Sequence, residues 1–128
     1  MNKKRILLLD DEVSFTRLLK LNLEQTNRYE VRAENWPEDV LAAAREFKPD
    51  LMLLDVMMPR MFGGDIAAQF RADEELKGIP IVFLTATVRK QRVDEHAGMI
   101  SGYPFLAKPA TTEEVIACIE THLGGGEP

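Results

Sequence analysis

The chain has 128 residues, 45% of them hydrophobic and 29% charged, with 16 Lys or Arg against 21 Asp or Glu and a net charge of −5. This length fits one domain of about 100–200 residues, and the composition excludes a disordered chain. The acid excess argues against non-specific nucleic-acid binding, and the single cysteine, Cys118, excludes an internal disulfide and a cysteine-based zinc cluster.

The basic N-terminus, residues 1–5, is followed by only four apolar residues before Asp10. That run is too short for a secretory signal or a membrane span, so a cytoplasmic chain without membrane contact is expected. Residues 5–9 read as a first strand, and Phe15, Leu18, Leu19 and Leu23 then recur at helical spacing. Residues 29–34 read as a second strand. Trp36 stands beside Pro37 as a staple-like contact, and Pro37 opens a helix that buries Val40, Leu41, Ala44 and Phe47 and cannot continue through Pro49. A third strand covers residues 50–54, and Ile66, Ala67 and Phe70 mark a third helix after Gly63 and Gly64. Residues 80–84 form a fourth strand, residues 90–96 a weakly patterned fourth helix, and residues 105–107 a fifth strand. Thr111 and Glu114 have capping-box spacing before a last helix with Val115, Ile116, Ile119 and Leu123 inward. Residues 1–123 are thus one unit, and residues 124–128, three glycines followed by Glu and Pro, read as a flexible tail or a cut linker. Five βα units, three of whose strands are continuously apolar, predict an α/β fold: a doubly wound five-stranded parallel sheet of order 2-1-3-4-5 with five helices, flavodoxin-like.

The informative residues follow the strands. The first run ends in Asp10-Asp11, the third in Asp55, the fourth in Thr85 and the fifth in Lys108. In a parallel sheet these ends share one edge, and strands one and three flank the crevice where such folds bind ligands. Three carboxylates there repel one another, and Lys108 alone cannot balance them. Oxygen ligands select a hard divalent cation, Mg²⁺ (or Mn²⁺), which commonly bridges carboxylates to phosphate. Asp55 can then act as a nucleophile toward phosphorus, while Lys108 and Thr85 bind the oxygens of the moving phosphoryl group.

Asp10-Asp11, Asp55 within Leu54-Asp55-Val56-Met57-Met58-Pro59, Thr85-Ala86 and Lys108-Pro109, in this order, resemble the receiver domain of two-component response regulators, the chemotaxis-regulator type. The resemblance covers about residues 4–123. It implies a phosphorelay signalling domain rather than an enzyme acting on other substrates. The domain catalyses only its own phosphorylation and dephosphorylation, at Asp55. The phosphodonor would be a histidine kinase, a phosphotransfer protein or a small acyl phosphate. Metal ligands would be Asp11, Asp55 and the backbone carbonyl of Met57, with Asp10 acting mainly through water. The Lys108–Pro109 bond would be cis. Thr85 and Phe105 would form the switch that alters the face of the fourth helix, fifth strand and fifth helix for a downstream output domain or protein. Two copies pairing through that face is compatible with the resemblance.

Two stretches depart from the family pattern. Arg60-Met61-Phe62-Gly63 replaces the usual small residue and Met-Asp-Gly, and Gly98-Met99-Ile100-Ser101-Gly102-Tyr103-Pro104 replaces the usual Gly-Ala-Asp-Asp-Tyr. Met99 and Ile100 are either a partner surface or local packing. Arg89, Lys90 and Arg92 read as a solvated face, His96 and His122 as surface residues, and Cys118 as a small packing residue.

Rival functions fit less well. A phosphatase with its aspartyl nucleophile on the first strand needs a second Asp two residues later, as general acid, and a following Thr, whereas positions 12 and 14 are Glu and Ser. Asp10-Asp11-Glu12 would repel the phosphate of a flavin, and no Gly-x-x-x-x-Gly-Lys loop is present. The alternative that remains is a degenerate receiver serving only as a protein-docking module, against which the five intact site residues argue.

Overall fold

Successive side chains of a strand point to opposite faces, so a strand apolar at every position must be covered on both sides. The computed structural model, which describes residues 3–55, 57–58, 61–85, 99–100, 103–108 and 110–123, follows that rule. Strand β1 (Lys4–Leu9) lies between β2 (Tyr29–Glu34) and β3 (Leu51–Asp55), parallel to both. β3 pairs with β6 (Ile81–Thr85), and β6 with β8 (Tyr103–Ala107), again in parallel. Two small pieces are added. β4 (Met57–Met58) and β5 (Met61–Phe62) form an antiparallel pair, and β7 (Met99–Ile100) runs antiparallel along β8. The five long strands thus take the expected order, second, first, third, fourth, fifth, and Met99 and Ile100 extend the sheet beyond its last long strand.

Helices cover both faces. Ile6 and Leu8 meet Leu19 and Leu23 of α1 (Val13–Glu24) and Val115 and Ile119 of α4 (Thr112–His122), the last helix. Leu7 and Leu9 point the other way. They meet Val40 and Ala44 of α2 (Val40–Phe47) and Ile66 and Phe70 of α3 (Gly63–Arg71). The fourth helix expected at residues 90–96, with Arg89, Lys90, Arg92 and His96, lies outside the described residues, as do Gly98 and Arg60.

Local chemistry sets the helix ends. Pro37 begins a 3-10 turn (Pro37–Asp39) that runs into α2. The helix stops where Lys48 turns left-handed, φ 55°, its N–H still donating to the Ala44 carbonyl at 2.8 Å, and Pro49 follows. At α4 the Thr111 hydroxyl accepts from the Glu114 N–H at 3.1 Å, and the Glu114 carboxylate accepts from the Thr111 N–H at 2.8 Å.

Two expectations are corrected. Leu18 is 59% exposed, because the inward stripe of α1 passes through Thr16, Leu19 and Leu23. Thr16 can be buried because its hydroxyl donates to the Val13 carbonyl. Trp36 is 55% exposed, where a staple-like contact would be largely covered. Cys118 packs against the α1–α4 side of the core, and burial pushes its thiol above its ordinary value.

Removing one half of the cap, Thr111→Ala, should cost about 1 kcal/mol in urea unfolding. Glu24 ties α1 to β2: it accepts from the Val31 N–H at 3.0 Å and from the Lys20 ammonium at 2.9 Å. Burial pushes its carboxyl up, but these two donors outweigh that and hold it below its ordinary value. A depressed folded value means that the contribution is complete above the unfolded value of about 4.3 and is lost as pH falls through the folded one. Glu24→Gln should therefore lower stability by about 0.5 kcal/mol at neutral pH, solvent screening keeping it small. The gap between the two proteins should close in acid, as read by unfolding midpoints across pH.

Candidate functional site

Strand register brings the sequence-predicted residues to one height. Leu9 pairs with Leu54, Asp55 with Leu84, and Thr85 with Ala107. Asp10, Asp55, Thr85 and Lys108 therefore all stand at the carboxyl edge. Asp10 is fully buried and Asp55 is 6% exposed, while Asp11 lies nearer solvent. One carboxylate oxygen from each of the three lies within 4.8 Å of the others. At that separation each ionised pair repels by roughly 3 kcal/mol at an effective dielectric of about 20.

Lys108 answers part of this charge. Its ammonium lies 2.6 Å from Asp10 Oδ2 and 3.5 Å from Glu12 Oε1, and 4.5 Å from the centre of the Phe15 ring. The side chain is only 11% exposed. Burial pushes the ammonium down, but Asp10 first, then Asp55 and Glu12, outweigh it and hold its pKa above the ordinary lysine value. The second oxygen of Asp10, Oδ1, accepts from the Glu12 N–H at 2.9 Å. Asp10, Asp11 and Asp55 against one ammonium leave two formal negative charges, and the nearby Glu12 carboxylate adds a third, an excess that a divalent cation would reduce. The donors are all oxygen, which suits a hard ion.

The remaining predicted residues divide. Met57 opens β4 two positions after Asp55. Thr85 ends β6 beside Ala107, and its side chain lies outside the described part, as does Pro109 with the expected cis bond. Phe105 is partly buried and packs on the α2–α3 side of the core.

Three neighbours were missed from the sequence: Glu12, Phe15 and Asn35. Glu12 and Phe15 bracket the Lys108 ammonium. Asn35 donates to the Asp10 carbonyl at 2.7 Å and to the Thr16 hydroxyl at 2.9 Å. Asn35 directly follows β2, so the reading of strand ends that found the acids would have found it too had the second strand been included.

Residues 6–120 match the family model described as the response regulator receiver domain. The DNA-binding response regulator MtrA of Mycolicibacterium paratuberculosis is 35% identical over 122 residues, 94% of this chain and 52% of its own length. The alkaline phosphatase synthesis transcriptional regulatory protein PhoP of Bacillus subtilis is 37% identical over 128 residues, 99% of this chain and 51% of its own. The chain thus spans about half the length of the curated relatives it matches. In fold it resembles the chemotaxis protein CheY4 of Vibrio cholerae, with a TM-score of 0.81 at 24% identity over 94% of this chain and 99% of that one. The matched span takes in both acid-bearing strand ends and Lys108, and the chain belongs to the response regulator receiver domains of two-component signalling.

Proposed function

We propose that this chain is a phosphoaccepting receiver whose acceptor is Asp55. The observation that carries the reading is the meeting of Asp10, Asp11 and Asp55 from two strand ends, with a partly buried lysine 2.6 Å from one of them. Residues 1–123 make up the receiver unit, acting in the cytoplasm, and residues 124–128 are a tail or linker. Asp11, Asp55 and the Met57 backbone carbonyl would hold Mg²⁺ or Mn²⁺, with Asp10 contributing mainly through water. When bound, such an ion neutralises carboxylate and phosphoryl charge.

The chain's own residues supply the rest. A carboxylate oxygen of Asp55 forms a bond to the donor's phosphorus while the bond from phosphorus to the donor nitrogen or oxygen breaks. The electron pair leaves with the donor, a phosphohistidine of a kinase or phosphotransfer protein, or an acyl phosphate. In the reverse sense, water attacks phosphorus, the Asp55 carboxylate is restored and inorganic phosphate leaves. Lys108, already held at the acids by charge, binds a phosphoryl oxygen, and the Thr85 hydroxyl binds another. Phosphorylation replaces the single negative charge of the Asp55 carboxylate with a phosphoryl group of roughly −2, a net gain of about −1 beside Asp10. The movement of Thr85 toward that charge lets Phe105 turn inward, and the face around β8 and α4 changes for an output domain, a partner protein or a second copy. Phe105 lacks a hydroxyl, so its two positions differ by packing alone.

Incubation with acetyl phosphate and Mg²⁺ should add one phosphoryl group by mass spectrometry, and omission of Mg²⁺ or Asp55→Asn should abolish the gain. An acid-stable, metal-independent label persisting in Asp55→Asn would overturn the assignment. Lys108→Ala should still accept phosphate but lose the response at the switch face. The readout is the amide chemical shifts of Phe105 and its neighbours on donor addition, which should move in the parent protein and stay in place in the variant.

A further inference from the structure

The acids stand together only if the turn from β1 into α1 keeps its shape, and one side chain from a third element grips that turn on both sides. The Asp10 N–H donates to the Glu34 carbonyl at 3.2 Å, which carries the β1–β2 ladder one residue past the strands. The Asp10 carbonyl accepts from the Asn35 amide at 2.7 Å, and the same amide nitrogen donates to the Thr16 hydroxyl at 2.9 Å. Thr16 is buried in the first turns of α1. Asn35 therefore spends both of its amide hydrogens spanning the segment that carries Asp10, Asp11 and Glu12. Few residues could replace it: Asp has no hydrogen to give, Ser has one, and Gln places its amide one carbon too far.

We propose that Asn35 is a positioning residue for the cation site, a clamp that holds the Asp10-Asp11 turn against the mutual repulsion of the acids. The inference rests on the reading of that site as a divalent-cation site. Without the clamp, the cheapest relaxation of three crowded carboxylates is for the turn to swing away from Asp55, which is anchored in its own strand. The distance among the acids widens, and the cation loses a preset cage. Partners that hold a ligand-bearing segment in place typically matter by about 10–100-fold in metal affinity.

The test titrates the full chain with Mn²⁺ alone, reading free ion by electron paramagnetic resonance, with a urea unfolding curve for each variant. The parent should bind one ion, Asp11→Asn should lose it, and Asn35→Ala should bind about tenfold more weakly. Thr16→Ala, which removes one of the two anchors, should weaken binding by a smaller factor, and Thr16→Ser, which keeps the hydroxyl, should restore it. Ile119→Val, a core truncation in α4, should lower stability and leave affinity unchanged, which separates positioning from mere destabilisation. Should Asn35→Ala not fold, the Thr16 pair carries the comparison. Parent-like affinity in folded Asn35→Ala, or in Thr16→Ala where that pair decides, overturns the clamp and leaves the cation site standing. A parent that binds no Mn²⁺ overturns the cation site and the clamp with it.

Discussion

Repulsion among the carboxylates of Asp10, Asp11 and Asp55 is the interaction around which the carboxyl edge of this sheet is organised. With oxygens within 4.8 Å of one another, the acids would separate if they sat on mobile loops. They stay together because Asp55 and Asp10 are tied to buried strands, Asp10 also through the Asn35 amide. Asp55 is the last residue of a strand buried at every position. Asp10 extends β1, whose final four residues are fully buried. The apolar core is thus a rigid frame that holds like charges together, and the energy of that crowding is balanced in part by the Lys108 ammonium. A buried ion pair of this kind adds little net stability, since desolvation offsets most of its attraction. Its effect is to offset part of the acids' charge and leave the site short of positive charge.

The same frame explains why so much was legible in the chain. Continuous apolar runs such as Ile6-Leu7-Leu8-Leu9 have only one soluble solution, burial between two layers of helices, so sheet type and order followed from pattern and length. Thr111 and Glu114 announced α4 because a capping box is a local bond pair that tertiary context does not override. The acids and Lys108 were visible because polar residues that abruptly end an apolar strand have few reasons to be there. Leu18 was misplaced because periodicity cannot separate two adjacent leucines, and the hydroxyl that allowed Thr16 to take the inward place finds its partner only in three dimensions. Asn35, Glu12 and Phe15 act through contacts that join separate elements, a relation that spacing along the chain does not encode.

The environment of Lys108 differs from that of the acids. The ammonium touches Asp10 closely, Glu12 at longer range and the face of Phe15, so it rests among three attractors of different strength. Asp10 holds it most firmly, yet Asp10 also keeps the Glu12 N–H as a separate donor, so its carboxylate is not left without a partner when the lysine turns away. That division lowers the cost of releasing the lysine toward a new anion. A fully satisfied, single-partner ion pair would be harder to open, and a lysine without Phe15 and Glu12 beside it would have no ordered place from which to move. The site therefore combines acids carried on buried strand ends with one cation shared among three partners of different strength.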